Sequence, residues 1–126
     1  MAELFKALGD ENRLRILNLL SEFRLCVCEI EMVLNLSQSN VSRHLSKLKN
    51  IGIISGDKDG QWIHYEISDK FLSENELLYK YLKEVTFEDR NYQEDYRVCK
   101  EYVDSPYDCQ TITNKKEFMM KFLHDK

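Results

Sequence analysis

Two cysteines separated by a single residue, Cys26 and Cys28, are the side chains in this sequence best suited to chemistry. Thiolates bind soft ions and also exchange with other sulfur species, so the pair predicts either a metal or metalloid site or a redox site. The alternative is that both cysteines only pack in a core, because free cysteine is often a small buried residue.

The spacing of the pair sets a condition on the backbone around it. Side chains two residues apart on a helix point to nearly opposite sides, since each residue turns the helix by roughly 100°. Both sulfurs can therefore reach one ion only where a helix start is unwound or extended. A helix N-terminus also lowers the pKa of a thiol, which supplies the thiolate that a soft ion needs. We expect binding to distort the helix that follows and to shift the elements attached to it.

The pair stands at the beginning of a pattern typical of a helix-turn-helix. Residues 2–21 predict two helices, the second capped by Asp10, and a short helix is expected from about Cys28 to Leu34. After a three-residue turn, Ser37 is a good N-cap for a longer helix, and Gly52 is a natural stop for it. Two helices joined in this way fit the helix-turn-helix.

A β-hairpin is predicted directly after the second of these helices. Asp59-Gly60 is a strong signal for a two-residue turn, and residues 62–67 alternate between two faces as a strand does. A hairpin in this position makes a winged helix. The fold class is therefore mainly α with a small β-hairpin, a winged helix-turn-helix with a helical C-terminal extension.

The C-terminal part of the chain is expected to be helical. A helix is predicted from Ser73 to Val85, and a second amphipathic stretch carries the stripe Tyr92, Tyr96, Cys99 and Val103. Asn114 and Glu117 resemble a capping box for a last helix. We divide the chain into a winged helix-turn-helix DNA-binding and dimerisation domain, residues 1–86, and a helical C-terminal extension, residues 87–126.

Dimerisation is predicted from surplus apolar surface. The apolar faces of the first helix and of the 73–85 helix exceed what a roughly 60-residue winged core needs to cover itself. A second copy of the chain would bury them, although the two faces could also cover each other within one chain. Helix-turn-helix repressors commonly read paired half-sites as dimers, which favours the first interpretation.

Charge and hydropathy are compatible with a DNA-binding protein of the cytoplasm. The net charge is −4, but Arg43, Lys47 and Lys49 are the charged residues between Gln38 and Asn50. A basic stripe within an acidic protein can follow phosphates while limiting nonspecific binding. No apolar run approaches the ~20 residues needed to span a bilayer, and the N-terminus lacks the features of a signal peptide. We expect no membrane partner and thiols that stay reduced.

The polar face of the longer helix has the side chains that read base edges and phosphates. Gln and Asn can bond adenine, Arg can bond guanine, and Ser and Lys suit phosphates. The histidine of this helix and two residues of the hairpin are added as expected contacts. The predicted DNA-binding residues are Gln38, Ser39, Asn40, Ser42, Arg43, His44, Lys47, Lys58 and Gln61.

Three segments resemble the ArsR/SmtB family of winged-helix metalloregulators. Residues 36–45 (LSQSNVSRHL) are similar to the family's recognition helix, residues 7–17 (ALGDENRLRIL) to its opening helices, and residues 60–65 (GQWIHY) to its wing. The resemblance covers residues 3 to about 85. The family's wing usually carries several arginines, whereas this chain has Asp57, Lys58 and Gln61, so a weaker phosphate grip by the wing is expected.

The resemblance implies a function and an inducer. Cys26-Val27-Cys28 is similar to the Cys-Val-Cys motif of the arsenic- and cadmium-responsive branches. It implies a repressor that binds double-stranded operator DNA as a homodimer and leaves it when As(III) or Sb(III), or alternatively Cd(II) or lead, binds the thiolates. The histidines that zinc-responsive relatives carry on their C-terminal helix are absent between Asp69 and Val85.

Arsenite favours three sulfur ligands, so a third cysteine is required. In one arm of the family it comes from the same helix, but that position here is Glu31. Cys99 lies on the apolar stripe, where packing is an equally good role, and Cys109 follows Pro106 in an expected loop. Residues 102–109 also loosely resemble a C-terminal cysteine segment of some arsenic-responsive members. The predicted metal ligands are Cys26, Cys28 and Cys109.

Three other functions are weighed against the metal-responsive repressor. A redox- or persulfide-sensing repressor would pair Cys26 or Cys28 with Cys99 or Cys109. An oxidoreductase is disfavoured, because the sequence has neither a Gly-rich cofactor loop nor a Cys-Xaa-Xaa-Cys motif, and we predict no enzymatic activity. A winged helix devoted to protein contacts is the third, supported by the acidic C-terminal half.

Overall fold

The computed structural model describes residues 1–124, and these form a mainly helical protein with a small antiparallel sheet, as predicted. The helices are α1 (Ala2–Leu8), α2 (Glu11–Leu20), α3 (Val27–Leu34), α4 (Gln38–Asn50), α5 (Asp69–Glu74), α6 (Glu76–Glu88), α7 (Arg90–Val103), α8 (Cys109–Asn114) and α9 (Lys116–His124). The strands are β1 (Leu25–Cys26), β2 (Ile54–Asp59) and β3 (Trp62–Ile67). No helix within residues 1–124 is both long enough and apolar enough to cross a bilayer.

The helix-turn-helix consists of α3, a short turn and α4. Asn35 ends α3 in the left-handed region at φ 55°, and Ser37 caps α4 by accepting a hydrogen bond from the Asn40 amide at 3.2 Å. Val41, Leu45 and Leu48 turn one face of α4 into the core. The Ser37 cap is as the sequence predicts.

The hairpin, here called the wing, is turned one residue later than expected. Asp59 pairs with Trp62, so the two turn residues are Gly60 and Gln61 rather than Asp59 and Gly60. Gly60 has φ +63°, the left-handed conformation that glycine adopts without strain. This conformation at the first turn position is what a twisted two-residue hairpin requires.

Strand β1 is an addition that the sequence did not predict. It lies on the free side of β3, with Leu25 opposite Tyr65 and Cys26 opposite His64, so the sheet order is β1-β3-β2. Residues 25 and 26 are too few to show the alternation that reveals a strand. The first cysteine of the pair is therefore a member of the wing's sheet.

The predicted 73–85 helix is two helices in the structure. Ser68 caps α5, and Asn75, at φ −132° and ψ 42°, separates α5 from α6. No residue of α6 is fully buried in the part of the chain that the structure describes. Leu77 is 84% exposed and Phe87 is 77% exposed, which leaves an apolar surface on α6.

Helices α7 to α9 pack on α2 and α3. The carboxylate of Asp95 in α7 accepts hydrogen bonds from Nε and Nη2 of Arg15 at 2.8 and 3.0 Å. The ring Nε2 of His124 lies 2.9 Å from the Met32 carbonyl oxygen. Buried residues of these helices belong to the same hydrophobic core as α2, α3 and α4. The division at residue 86 stays a prediction, and Asp125 and Lys126 lie outside the described residues.

Two sequence-based expectations for this C-terminal part are wrong in detail. Val103 of the predicted apolar stripe is 46% exposed, while Val98 and Tyr102 are buried. Asp95, which pairs with Arg15, lies on the buried side of α7 instead. Asn114 ends α8 instead of capping α9, because the Asp108 side chain already caps a preceding helix.

Candidate functional site

Three thiols converge at the start of α3. Cys26 is the last residue of β1, Cys28 lies in the first turn of α3, and Cys109 is the first residue of α8. Their three sulfur atoms all lie within 4.8 Å of one another, and Sγ of Cys26 is 3.1 Å from Sγ of Cys28. None of these cysteines forms a disulfide bond in the described structure. We call this group the thiol cluster.

The backbone at Cys26 explains how the two neighbouring sulfurs meet. Cys26 is extended, at φ −95° and ψ 171°, because it is both a strand residue and the N-cap of α3. The expected break in the helix is therefore already present, and no unwinding is needed to bring the sulfurs together.

Cys109 reaches the cluster from a helix and not from a loop. Asp108 accepts hydrogen bonds from the amide and the hydroxyl of Thr111, at 3.0 and 3.1 Å, and so fixes the first turn of α8. Cys109 is buried against α3. The expectation that it lies in a movable loop is wrong, since the capped helix holds it in place.

Cys99 stands apart from the thiol cluster. Its side chain is fully buried in the hydrophobic core, and it does not belong to the group of convergent donors found among residues 1–124. Burial raises the pKa of its thiol to about 12. The structure thus places Cys99 in a packing role.

Hydrogen bonds within the cluster make its three thiols unequal. Hydrogen bonds from Cys109 and then Cys26 lower the pKa of Cys28 well below that of an ordinary thiol. The pKa of Cys109 is raised by its hydrogen bonds with Cys26 and Cys28 and by burial. At Cys26 the hydrogen bond with Cys109 lowers the pKa, but the bond with Cys28 and burial raise it more. Cys28 is therefore the first thiolate of the site.

The geometry suits a single soft ion. At a metal–sulfur distance of about 2.3 Å, two sulfurs sharing an ion are at most about 4.6 Å apart. The separations in the cluster need only a small adjustment to meet that limit. Nearby, Glu29 carries a carboxylate whose pKa is raised by burial, and this side chain bonds the Cys26 amide.

Most predicted DNA-binding residues of α4 lie on its outer face. Gln38, Ser39, Arg43 and Lys47 are exposed, and Asn40 and Ser42 are half-buried. Arg43 Nη2 lies within hydrogen-bonding distance, 3.4 Å, of the Asn40 carboxamide oxygen. We call these six residues the reading face of α4.

His44 corrects the sequence-based expectation. It is buried, and Arg13 Nη1 donates to its ring Nδ1 at 3.1 Å, while Arg13 Nε donates to the Ala7 carbonyl at 2.6 Å. Desolvation by burial lowers the pKa of His44. Through Arg13, the buried ring links α4 to the end of α1 and is not available on the surface of α4.

The wing residues Lys58 and Gln61 are exposed near the hairpin turn. A groove runs from the thiol cluster to this region and is lined by Cys26 and Cys28, by Gln38 of α4, and by Gln61 and Trp62 of the wing. The cluster therefore borders both elements that are expected to contact DNA.

Glu29 and Tyr102 are site residues that sequence reasoning missed. Glu29 stands three residues after the N-cap Cys26, the spacing of a capping box, and this signal could have revealed it. Tyr102 hydrogen-bonds Glu29 across 73 residues of sequence, and no local pattern predicts such a contact.

Comparisons with known proteins agree with this architecture. Residues 10–55 match the model of the bacterial regulatory protein arsR family. The arsenical resistance operon repressor of Escherichia coli K12 is 48% identical over 67 residues, which are 52% of this chain and 57% of that protein. The cadmium resistance transcriptional regulatory protein CadC of Listeria innocua is 41% identical over 83 residues, 64% of this chain and 70% of the relative.

A solved structure extends the comparison to the fold. The homodimeric winged helix-turn-helix DNA-binding domain of a Mycobacterium bovis protein superposes with a TM-score of 0.57 at 25% identity. The match covers 66% of this chain and 77% of that domain. The predicted winged helix-turn-helix is confirmed, and the proteins compared are transcriptional regulators rather than enzymes.

The unequal thiols predict a pH-dependent reactivity. Cys28 should react with iodoacetamide at pH values where an ordinary thiol, with a pKa of about 8.5, is protonated. Replacing Cys109 with Ala removes the main hydrogen-bond donor and should raise the midpoint of the pH–rate curve, measured by mass spectrometry of the alkylated peptide. Cys99→Ala is the matched control and should leave that midpoint unchanged. An unchanged midpoint in Cys109→Ala would mean that the cluster does not set the Cys28 pKa.

Proposed function

Because this chain belongs to the arsR family of bacterial regulatory proteins, we propose that it is a cytoplasmic homodimeric repressor released from operator DNA by arsenite or antimonite. The observation that carries the proposal is the convergence of three sulfurs, from Cys26, Cys28 and Cys109, within 4.8 Å of one another. The chain is a DNA-binding transcriptional regulator, and the inducer, the ligands and the operator contacts are the proposed parts.

The number of sulfurs favours a trivalent metalloid. As(III) and Sb(III) take three sulfur ligands in a pyramid, and the cluster offers three. A fourth cysteine, Cys99, is fully buried in the core outside the cluster, and burial raises its pKa. Cadmium or lead is the alternative inducer, supported by the similarity to a cadmium resistance regulator.

A redox- or persulfide-sensing repressor is the second candidate function. It is favoured by the 3.1 Å separation of the Cys26 and Cys28 sulfurs and by the lowered pKa of Cys28. A thiolate beside a second thiol is the arrangement from which a disulfide or persulfide forms when an oxidised sulfur species arrives. Stoichiometric ion binding by the reduced protein separates this candidate from the first.

The position of the thiol cluster supports a coupling between ion binding and DNA binding. Cys26 pairs with His64 of the wing, and Cys28 lies in the first turn of the helix that leads into α4. Drawing the three sulfurs onto one ion would move β1 and the start of α3 together, and with them the wing and the reading face of α4. A coupling of roughly 1–3 kcal/mol between ion and DNA is enough for a useful switch.

The homodimer is supported by exposed apolar side chains. Leu77, Tyr81 and Val85 lie at four-residue spacing on one exposed face of α6, and Phe87 of α6 and Phe5 of α1 are also exposed. Exposed apolar side chains that line one face of a helix favour an interaction site there. A two-fold dimer would present two copies of α4 to successive major-groove half-sites of double-stranded DNA.

The dimer can be tested on α6. Leu77→Glu should place a charge in the interface and shift the protein from dimer to monomer in sedimentation equilibrium, with a loss of operator affinity. Val103→Glu puts the same charge on an exposed apolar position of α7 and should remain dimeric. A wild-type chain that sediments as a monomer at all concentrations would contradict the proposal.

The inducer can be tested on DNA. Reduced protein bound to fluorescent DNA from upstream of its own gene should dissociate on titration with arsenite or antimonite, with an affinity loss of about 5–150-fold. Cys26→Ser, Cys28→Ser and Cys109→Ser should bind this DNA and fail to release it. Cys99→Ala is the control and should respond normally. Release by cadmium alone would show that cadmium, the alternative ion, is the inducer. Firm DNA binding with no response to any ion would favour the redox-sensing repressor.

The reading face can be tested at Arg43. If its guanidinium bonds a base edge, Arg43→Ala should weaken operator binding by roughly 1–3 kcal/mol in fluorescence anisotropy. Arg43→Lys keeps the positive charge and loses the two-pronged contact, so it should recover little of that affinity. Full recovery by lysine would show that Arg43 serves a phosphate.

A further inference from the structure

A carboxylate and a phenol that are not themselves ion ligands support the thiol cluster through hydrogen bonds. Glu29 lies in the first turn of α3, and Tyr102 lies in the last turn of α7. We propose that Glu29 and Tyr102 form a clamp that positions Cys26 and Cys109 for the inducer, which makes α7 part of the inducer site. This inference rests on the proposed function, because it concerns how the same three thiols bind a soft metalloid.

The clamp has two hydrogen bonds on one carboxylate. Oε1 of Glu29 accepts the backbone N–H of Cys26 at 2.9 Å, and Oε2 accepts the hydroxyl of Tyr102. Tyr102 is only 2% exposed, so its hydroxyl does not exchange this partner for water freely. Buried polar groups that are fully bonded in this way restrict the side chains that carry them.

The first bond fixes the conformation on which the cluster depends. Cys26 is extended while the next residue is helical, and its N–H is held by the carboxylate three residues further on. If that contact were lost, the junction between β1 and α3 could change its torsion angles. The Cys26 sulfur would then leave the position 3.1 Å from the Cys28 sulfur.

Tyr102 also holds the segment that delivers the third thiol. Its backbone carbonyl accepts the amide and the hydroxyl of Ser105, at 3.0 and 2.6 Å. The Ser105 hydroxyl oxygen in turn accepts the amide of Tyr107 at 3.2 Å, just before the start of α8. Tyr102 is thus linked to Cys26 through its side chain, by way of Glu29. Its backbone is linked to the segment that leads to Cys109.

The consequence is a second layer of interactions that sets the affinity for the inducer. Groups that orient metal ligands without touching the metal typically change affinity 10–100-fold when they are removed. Tyr102 and Cys109 both lie outside the 10–55 segment that matches the family model. The helical C-terminal region therefore supplies one ligand and the group that orients another.

Tyr102→Phe tests the clamp, with Tyr92→Phe as its matched control. Both residues are buried on α7, and each donates its hydroxyl to a glutamate, Tyr92 to Glu11 at 2.9 Å, so the two variants lose similar hydrogen bonds. We expect Tyr102→Phe to bind arsenite about 10–100-fold more weakly than wild type. Tyr92→Phe should bind arsenite as wild type does. Binding is measured in the reduced full chain as protection of the three thiols from alkylation, read peptide by peptide.

Glu29 provides an independent pair of variants. Glu29→Gln keeps an oxygen that can accept the Cys26 amide and an amide that can donate to Tyr102, so it should retain arsenite binding. Glu29→Ala removes both bonds and should weaken binding as Tyr102→Phe does. This recovery by glutamine separates positioning from a general loss of stability. The two Glu29 variants also test the clamp if Tyr102→Phe does not fold.

The outcomes are distinguishable. If wild type binds arsenite and Tyr102→Phe binds as tightly as Tyr92→Phe, the clamp is refuted while the proposed function stands. Equal weakening in Tyr102→Phe and Tyr92→Phe would also refute it, since the effect would then be one of α7 stability. If wild type protects none of its thiols with arsenite, the proposed function itself fails. A wild type that binds, with weakening at Tyr102 and at Glu29→Ala only, supports the clamp.

Discussion

The extended backbone of Cys26 is the constraint on which the rest of the site depends. A residue in the β region can end a strand and cap a helix in a single step, and Cys26 does both, between β1 and α3. Had the helix started earlier, the sulfurs of Cys26 and Cys28 would point apart. The same torsion angles that bring them together also attach the residue to β3 by strand pairing.

This junction puts the proposed ion site on the same stretch of backbone as the elements proposed to contact DNA. One strand pair connects Cys26 to the wing. Helix α3 and a short turn connect Cys28 to α4. Coupling across such short, hydrogen-bonded paths does not require a rearrangement of the core. Packed elements with few connecting residues transmit small displacements because interiors are dense and poorly compressible.

Local sequence signals predicted the local structure correctly. They failed where contacts between residues far apart in the sequence determine the structure. The caps Asp10 and Ser37, the helix-turn-helix and the wing follow from short-range chemistry, and all are present. The position of His44 on the DNA-facing helix predicts a DNA contact, yet the buried guanidinium of Arg13, 31 residues earlier, gives it an interior partner. The thiols Cys26 and Cys28 were recognisable as a pair, whereas the clamp of Glu29 by Tyr102 arises only when α7 folds onto α3.

The exposed apolar side chains of α6 link the stability of the protein to its association. Its half-buried Leu78, Tyr79 and Leu82 pack on the core, whereas Leu77, Tyr81 and Val85 are exposed and available to another molecule. In a protein that acts as a dimer, part of the free energy of folding then comes from association and varies with protein concentration. Where monomers predominate, the dimer population falls with the square of the monomer concentration. Operator occupancy would therefore respond more steeply to the number of repressor copies in the cell than a monomeric protein allows.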